Sequence, residues 1–226
     1  MNIFNLEQPS VPVVGSDERF PVRRIYCIGR NYDKHVAEMG YDVKRSKPFY
    51  FGKPADAVVM SGATIDYPPR TANLHHEIEL VVAIGKVGSD VAVSEALEHV
   101  YGYAVGIDLT RRDLQKVAKD QGRPWETAKG FDQSAPISAI HRASRISHPT
   151  KGRIWLAVNG QIRQDAGLNE LIWGVAESIS ELSTLFELAP GDLLFTGTPA
   201  GVGPLEPGDE VTGGIEGIDE IQIRIR

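Results

Sequence analysis

The chain has 226 residues, 42% of them apolar, and a formal net charge of −6. This length allows one large domain or two small ones, and a negative charge without a basic block argues against a nucleic-acid partner. No uncharged apolar run approaches the ~18 residues of a membrane span, and the N-terminus lacks a signal-peptide pattern. The single cysteine, Cys27, excludes an internal disulfide and suits a reducing cytosol, so a cytoplasmic location is expected.

Glycine (23) and proline (14) interrupt the chain often, which favours many short strands over long helices. Residues 1–20 are expected to form a leader segment, and residues 21–226 a single α+β domain dominated by strands. Strands are predicted at 24–28, 57–60, 78–84, 101–107, 154–158, 193–196, 210–213 and 220–225, and helices at 33–39, 93–98, 111–119 and 175–186. The pair Asn159-Gly160 between apolar segments predicts a hairpin, and Cys27, inside the first of these strands, is expected to be a core thiol.

The predicted helix at 33–39 has a polar pair on its surface. Asn31 is a candidate cap and Gly40 a candidate end for this helix. His35 and Glu38 are three residues apart, so their side chains can touch, and a carboxylate beside an imidazole suits a general base that acts on water. A routine surface pair is the alternative. Because the helix is too short to be stable in isolation, we expect it to act as a mobile lid.

Three carboxylates stand out against apolar strands. Glu77 and Glu79 lie in the run His-His-Glu-Ile-Glu-Leu-Val-Val, and Asp108 ends the next predicted strand. Residues two apart on a strand share a face, and two carboxylates crowded on a buried face repel each other and lose hydration. A divalent cation removes both penalties, and hard cations prefer oxygen ligands. The alternative places Glu77 and Glu79 on the solvated face of an edge strand.

The segment after Asp108 predicts a helix with a polar face. Thr110 is a candidate cap, with Asp113 completing a pair that resembles a capping box. Arg112 and Gln115 then share one face, where a guanidinium and an amide could bind a carboxylate or a developing oxyanion. An ordinary exposed helix is the alternative.

Two further segments contain candidate site residues. Gly197 and Thr198 lie in a glycine-rich turn after a predicted strand, where backbone N–H groups can bind an anion; a structural turn is the alternative. Lys129, between alanine and glycine, fits a site and a surface position equally well.

Taken together, these motifs resemble the fumarylacetoacetate hydrolase family from about residue 22 to the C-terminus. The residues that carry the resemblance are 26–32 with His35 and Glu38, the pair Glu77 and Glu79, Asp108 with Thr110, Arg112, Asp113 and Gln115, the run 129–132 and the run 196–199. The run Lys-Pro-Phe-Tyr-Phe-Gly-Lys-Pro at 47–54 looks most like that of the acylpyruvate and fumarylpyruvate hydrolases, and the short chain resembles the compact members.

The resemblance implies a mixed β-roll, a homodimer and one divalent ion per subunit. Glu77, Glu79 and Asp108 would hold Mg²⁺ or Mn²⁺, with Ca²⁺ as a further candidate, and the ion would chelate a 2-oxo acid substrate and accept its electrons. His35 with Glu38 would activate water. The expected oxyanion donors are Lys129 and Gln115, and the expected substrate-binding residues are Arg30, Tyr32, Arg112, Gly197 and Thr198.

The leading functional hypothesis is hydrolysis of a carbon–carbon bond in an acylpyruvate, above all fumarylpyruvate, in the catabolism of aromatic compounds. The same metal chemistry could instead decarboxylate oxaloacetate or isomerise a 2-oxo acid without activating water. A third hypothesis is a non-catalytic, metal-stabilised binding module. His35, Glu38 and Lys129 argue against the module, because a structural metal site does not need them.

Overall fold

The computed structural model describes residues 3–38 and 47–226, with the side chains of residues 36–38 outside that description. Strands account for most of the regular structure. The strands are β1 (Ser10–Pro12), β2 (Arg19–Pro21), β3 (Arg24–Gly29), β4 (Phe49–Lys53), β5 (Val58–Met60), β6 (Thr64–Ile65), β7 (Leu74–His76), β8 (Ile78–Ile84), β9 (Val100–Ile107), β10 (Thr110–Arg111), β11 (Ala135–Ile137), β12 (His141–Arg142), β13 (Arg153–Val158), β14 (Gln161–Gly167), β15 (Asp192–Phe195), β16 (Gly203–Leu205), β17 (Glu210–Ile215) and β18 (Asp219–Ile225). The helices are α1 (Asp33–Glu38), α2 (Arg112–Asp120), α3 (Glu126–Lys129), α4 (Ala143–Ile146) and α5 (Val175–Leu185), with 3-10 turns at Ala55–Ala57, Ala96–His99 and Leu168–Glu170.

The strands form two large sheets and two small ones. The larger sheet has the order β4-β3-β15-β8-β9-β11-β5, with β12 also paired to β9, and it mixes parallel and antiparallel pairs. A five-stranded sheet has the order β14-β13-β17-β18-β6. The small sheets are β10-β7-β16 and β1-β2. This arrangement confirms the predicted α+β class, in which strands dominate.

Strand β8 lies in the middle of the larger sheet and is buried along its whole length. Leu80 and Val82 pack into the large core cluster together with residues of the five-stranded sheet. Val81 and Ala83 face the other way, into a second cluster, and Glu79 belongs to that same face because strand side chains alternate. The edge-strand alternative is therefore wrong: β8 pairs with β15 and β9 on its two sides, and Glu79 is 1% exposed.

Most predicted elements are confirmed within two residues at either end, and 78–84 matches β8. Asn159 and Gly160 both have positive φ, 51° and 74°, which the tight turn between β13 and β14 requires. The predicted helix at 93–98 is wrong, because only the 3-10 turn Ala96–His99 forms there. Residue 39 of the first predicted helix and its predicted end, Gly40, lie outside the described residues. Among the described residues, no helix has both the length and the apolar character needed to span a membrane.

Both proposed helix caps are wrong, because their side chains are used elsewhere. Asn31 lies two residues before α1. Its side-chain Nδ2 donates to the carbonyls of Trp173 and Thr196, and its Oδ1 accepts from the N–H of Trp173. Helix α2 begins after Arg111, without a side-chain cap bond from the described residues. The hydroxyl of Thr110 turns instead towards the backbone of the preceding loop.

The N-terminal segment is attached to the domain by a small hairpin. Strands β1 and β2 pair with each other, and Val11 and Phe20 are buried in the second core cluster. Val13 forms a bridge to Ile140. The boundary between residues 20 and 21 stays a prediction. Cys27, as expected, is a core thiol, and burial raises its pKa well above the usual range.

Candidate active site

The three predicted metal ligands meet at one end of the β8–β9 pair. Glu77 lies in the break between β7 and β8, Glu79 is the second residue of β8, and Asp108 follows the last residue of β9. The N–H of Asp108 donates to the carbonyl of Glu77 at 2.8 Å, which fixes the two loops to each other. One carboxylate oxygen from each residue lies within 4.8 Å of the other two, and all three residues are buried. The expected acidic triad is therefore present.

Three cations compensate this buried negative charge. Lys129 Nζ donates to Glu77 at 2.8 Å, to Asp108 at 2.6 Å and to Thr110 Oγ1 at 2.7 Å. Lys53 Nζ lies 2.8 Å from Asp108 Oδ1, and the Arg112 guanidinium donates to Glu77 Oε1. An ammonium group has three N–H donors. The donors of Lys129 are thus all engaged, and an oxyanion role for this residue requires the exchange of one contact.

The carboxylates of Glu77 and Glu79 differ in how well they are compensated. Burial opposes the charge on Glu77, but Lys129 and Arg112 outweigh it and lower its pKa. Burial also raises the pKa of Glu79, and here the negative charges of Asp108 and Glu77 raise it further. The Glu79 carboxylate accepts a hydrogen bond from the N–H of Gly197 at 2.7 Å. Of these two carboxylates, Glu79 therefore gains more from an added positive charge.

The residues present fit a divalent cation. The donor set is three carboxylates, which suits hard cations such as Mg²⁺, Mn²⁺ and Ca²⁺. Asp108 Oδ1 is buried and accepts no well-directed hydrogen bond from a described residue, although Lys53 is near it. A buried carboxylate oxygen without such a bond is costly, and coordination to a cation would remove that cost. The triad is thus able to hold a divalent metal.

One face of α2 lies against the triad. Arg112 donates to Gln115 Oε1 at 2.6 Å as well as to Glu77. Because its oxygen is held in this way, Gln115 presents its Nε2 amide as a donor. His75 also contacts Arg112. Burial and the charge of Arg112 lower the pKa of His75 to about 4, so its imidazole is neutral. The neutral ring accepts a hydrogen bond from Arg112 Nε at 3.4 Å. The polar face predicted for this helix is thus part of the site.

The structure places the predicted general base at the same cavity. His35 is buried in α1, 7% exposed, and lines the cavity that contains Glu77 and Glu79. The side chain of Glu38 lies outside the described residues, so the His35–Glu38 pair stays a prediction, as does the motion of a lid.

The cavity has a polar inner end and an aromatic wall. The inner end is lined by Glu77, Glu79, Arg112, Gln115, Lys129 and Thr198. Phe49, Phe51 and Trp125 form the wall, in which the Phe49 and Trp125 rings meet edge to face with their centroids 5.2 Å apart. The chemistry of this lining is complementary to a small molecule with an oxygen-rich end and a flat apolar body.

The family described as "Fumarylacetoacetate (FAA) hydrolase C-terminal" matches residues 24–226. The chain belongs to the fumarylacetoacetate hydrolase family. A fumarylpyruvate hydrolase of Ralstonia sp is 49% identical over 198 residues, which cover 88% of this chain and 98% of that protein. A mitochondrial oxaloacetate tautomerase of Mus musculus is 40% identical over 204 residues, covering 90% of this chain and 92% of that protein.

A solved structure gives the same fold. Fumarylpyruvate hydrolase from Pseudomonas aeruginosa, crystallised in complex with Mn²⁺ and pyruvate, superposes with a TM-score of 0.97 at 52% identity. The match covers 100% of this chain and 99% of that one. Membership of the fumarylacetoacetate hydrolase family thus extends to nearly every element described above.

The glycine-rich turn of this family member binds an internal anion. The N–H of Gly197 is bonded to Glu79, and Gly197 does not line the cavity. Its φ is +94°, and a Cβ at this position would lie 2.7 Å from Asn31 Cβ, so only glycine fits. Thr198 does line the cavity, and its hydroxyl accepts from Gln164 at 2.7 Å. The hydroxyl proton of Thr198 is therefore the part of this turn that can be donated to a substrate.

Gln164, which the sequence did not indicate, is a buried residue that connects two loops of the site. Its Oε1 bonds His76 Nδ1 at 2.9 Å and the N–H of Ile78 at 3.1 Å, on either side of Glu77. Its Nε2 donates to Thr198 and, at 2.8 Å, to the carbonyl of Pro199. A shift in the pairing of β13 with β14 leaves one extra residue just before Gln164, and such bulges redirect side chains. Gln164 joins the loop of Glu77, a candidate metal ligand, to the glycine-rich turn.

Lys53 was missed too, because it lies in β4, which was not predicted as a strand. Its side chain is fully buried, and besides Asp108 it reaches the carbonyls of Leu109 and Lys129. A lysine almost never occupies such a position without partners. The sequence offered no signal of these partners, because they lie far from Lys53 along the chain.

The remaining predicted substrate ligands, Arg30 and Tyr32, differ in position. Arg30 is exposed at the mouth of the cavity, with its guanidinium carbon 5.4 Å from the centroid of the Phe49 ring. Tyr32 is 2% exposed and does not line the cavity. Its hydroxyl has no hydrogen-bond partner in the described part of the chain, and burial together with the charge of Glu79 raises its pKa.

Proposed function

We propose that this protein is a metal-dependent hydrolase that cleaves a carbon–carbon bond in an acylpyruvate, with fumarylpyruvate giving fumarate and pyruvate. The observation that carries the proposal is a single cavity, lined by Glu77 and Glu79 of the buried acidic triad, by His35 and by the polar face of α2. The similarity to fumarylpyruvate hydrolases supports this choice of substrate.

Each side chain has a place in this reaction. The divalent ion, when bound, supplies a chelating site for the 2-oxo acid and charge stabilisation for the electrons released from the broken bond. His35 accepts a proton from water, which adds to the carbonyl distal to the 2-oxo acid. Gln115 Nε2 donates to the oxyanion that forms there. The bond to the methylene carbon then breaks, its electron pair passes into the enolate of pyruvate, and a proton converts the enolate into pyruvate.

Arg112 and Thr198 are the proposed ligands of the 2-oxo acid carboxylate. A guanidinium favours a carboxylate because of charge and geometry, and Arg112 is already oriented by Glu77, Gln115 and His75. Lys129 maintains the carboxylates in their ionised form and can turn to the oxyanion if one of its three contacts is given up.

A second candidate is tautomerisation of oxaloacetate, which the similarity to the mouse tautomerase favours. That reaction needs the metal-assisted enolisation of a 2-oxo acid but no activated water. Homodimer formation and a cytoplasmic location complete the proposal; the family resemblance supports the first and the single buried cysteine supports the second.

The test is an assay of chelator-treated protein with fumarylpyruvate, acetylpyruvate and oxaloacetate, each with and without Mg²⁺ or Mn²⁺. We expect pyruvate to be released from at least fumarylpyruvate, and only when the metal is present. If oxaloacetate alone reacts, by tautomerisation or by loss of CO₂, the hydrolase proposal is rejected. If the activity with an excess of chelator equals the activity with metal, the reaction does not depend on a metal and that part of the proposal is rejected.

A further inference from the structure

The outer end of the cavity has charged groups that the proposed reaction does not use. Arg112, Gln115 and Lys119 are spaced three and four residues apart on α2, so they share one face, and all three line the cavity. The first two lie at the acidic triad. Lys119 lies two helical turns further on, about 10 Å from Arg112 along the axis at 1.5 Å per residue. This helix face thus brings a cation to each end of the cavity.

The aromatic wall of the cavity also has a cation next to it. Phe49 and Trp125 stand edge to face there, and Arg30 lies at the same mouth. The backbone of Arg30 has φ +62°, in the left-handed region that glycine or asparagine adopts at lower cost. A residue other than glycine in this backbone conformation costs conformational free energy, and such residues cluster at functional sites.

We propose that Lys119 and Arg30 form a subsite for a second carboxylate, at the far end of the acyl group, and that Phe49 and Trp125 hold the flat chain between the two carboxylates. The inference rests on the proposed function and deepens it, because it assigns the residues that recognise the carboxylate at the far end of the fumaryl group. The protein as a whole carries a charge of −6, so a dianionic substrate must be bound by local cations of this kind.

Lys119→Met tests the subsite, because methionine keeps the helix propensity and much of the side-chain length. The matched control is Lys116→Met on the same helix; Lys116 is exposed and pairs with Asp120. With fumarylpyruvate, Lys119→Met should lower kcat/KM about tenfold or more, mainly through KM, as expected for the loss of a bond to a charged group. Acetylpyruvate, which has no distal carboxylate, should react about as well as with the wild type.

Arg30→Gly is the second variant, since glycine adopts the left-handed backbone without strain, and it should show the same selective loss. Inhibition by oxalate, which has only the metal-binding end, should be unchanged in both variants. An equal loss with fumarylpyruvate and acetylpyruvate, or no loss with either, overturns the distal subsite and leaves the proposed hydrolase intact. A wild-type protein that cleaves neither substrate in the presence of Mn²⁺ overturns the proposed function and the subsite together.

Discussion

Replacement of Lys129 by methionine tests whether the site is a balanced cluster of buried charges. The Lys129 side chain is 2% exposed and forms ion pairs with Glu77 and Asp108. Methionine fills most of the space, so the loss from packing is small. Removal of one partner from a buried ion pair leaves an uncompensated charge and typically costs about 3–5 kcal/mol. That is a large part of the roughly 5–15 kcal/mol by which a domain is stable.

The assay is urea unfolding in EDTA, with Lys116→Met as the control, whose exposed pair should matter by less than about 1 kcal/mol. We expect Lys129→Met to lower the free energy of unfolding by about 3–5 kcal/mol. Because a bound cation supplies positive charge to the same carboxylates, Mn²⁺ should stabilise the variant more than the wild type. If Lys129→Met costs less than about 1 kcal/mol in EDTA, the carboxylates are not ionised and buried as described, and the reasoning fails.

Two further predictions concern residues around the triad. His35→Ala and Glu38→Gln should lower kcat for acylpyruvate cleavage at saturating metal by about 10²–10⁴-fold, and any oxaloacetate turnover should suffer less; intact cleavage in both variants would remove water activation from the account. Gln164→Met leaves the N–H of Ile78 and the Thr198 turn without their partner, so Mn²⁺ affinity measured by calorimetry should fall about 10–100-fold. The control Gln161→Met, on the exposed part of the same strand, should bind Mn²⁺ as the wild type does. An unchanged Mn²⁺ affinity for Gln164→Met would show that the Gln164 amide does not hold the metal-binding carboxylates in place.

The sequence predicted those parts of the fold that depend on local patterns. Apolar runs gave β8 and β9 almost to the residue, and the spacing of Glu77 and Glu79 in such a run indicated a metal site before any contact was known. Whether that run was an edge strand depended on its neighbours in the sheet, which the pattern of one strand does not contain. The structure decides the question by placing β8 between β15 and β9.

Long-range partners explain what the sequence analysis missed. Gln164 is separated from His76 by 88 residues, and its role depends on a bulge that single-sequence periodicity does not show. Thr110 and Asn31 are residue types typical of helix caps, but tertiary partners compete successfully for their side chains. Lys119 continues the face of Arg112 and Gln115 by one more turn, so the helical pattern could have indicated it. Only the structure shows that this face lines a cavity.

The most direct test of the central claim is a calorimetric titration of chelator-treated protein with Mn²⁺. The account predicts one ion per chain for the wild type and, for Glu79→Gln, an affinity at least about 100-fold lower. The control Asp120→Asn, which changes an exposed carboxylate on α2, should bind as the wild type does. Wild-type affinity in Glu79→Gln, or no binding of Mn²⁺ to the wild type, would contradict the claim that the acidic triad is a metal site.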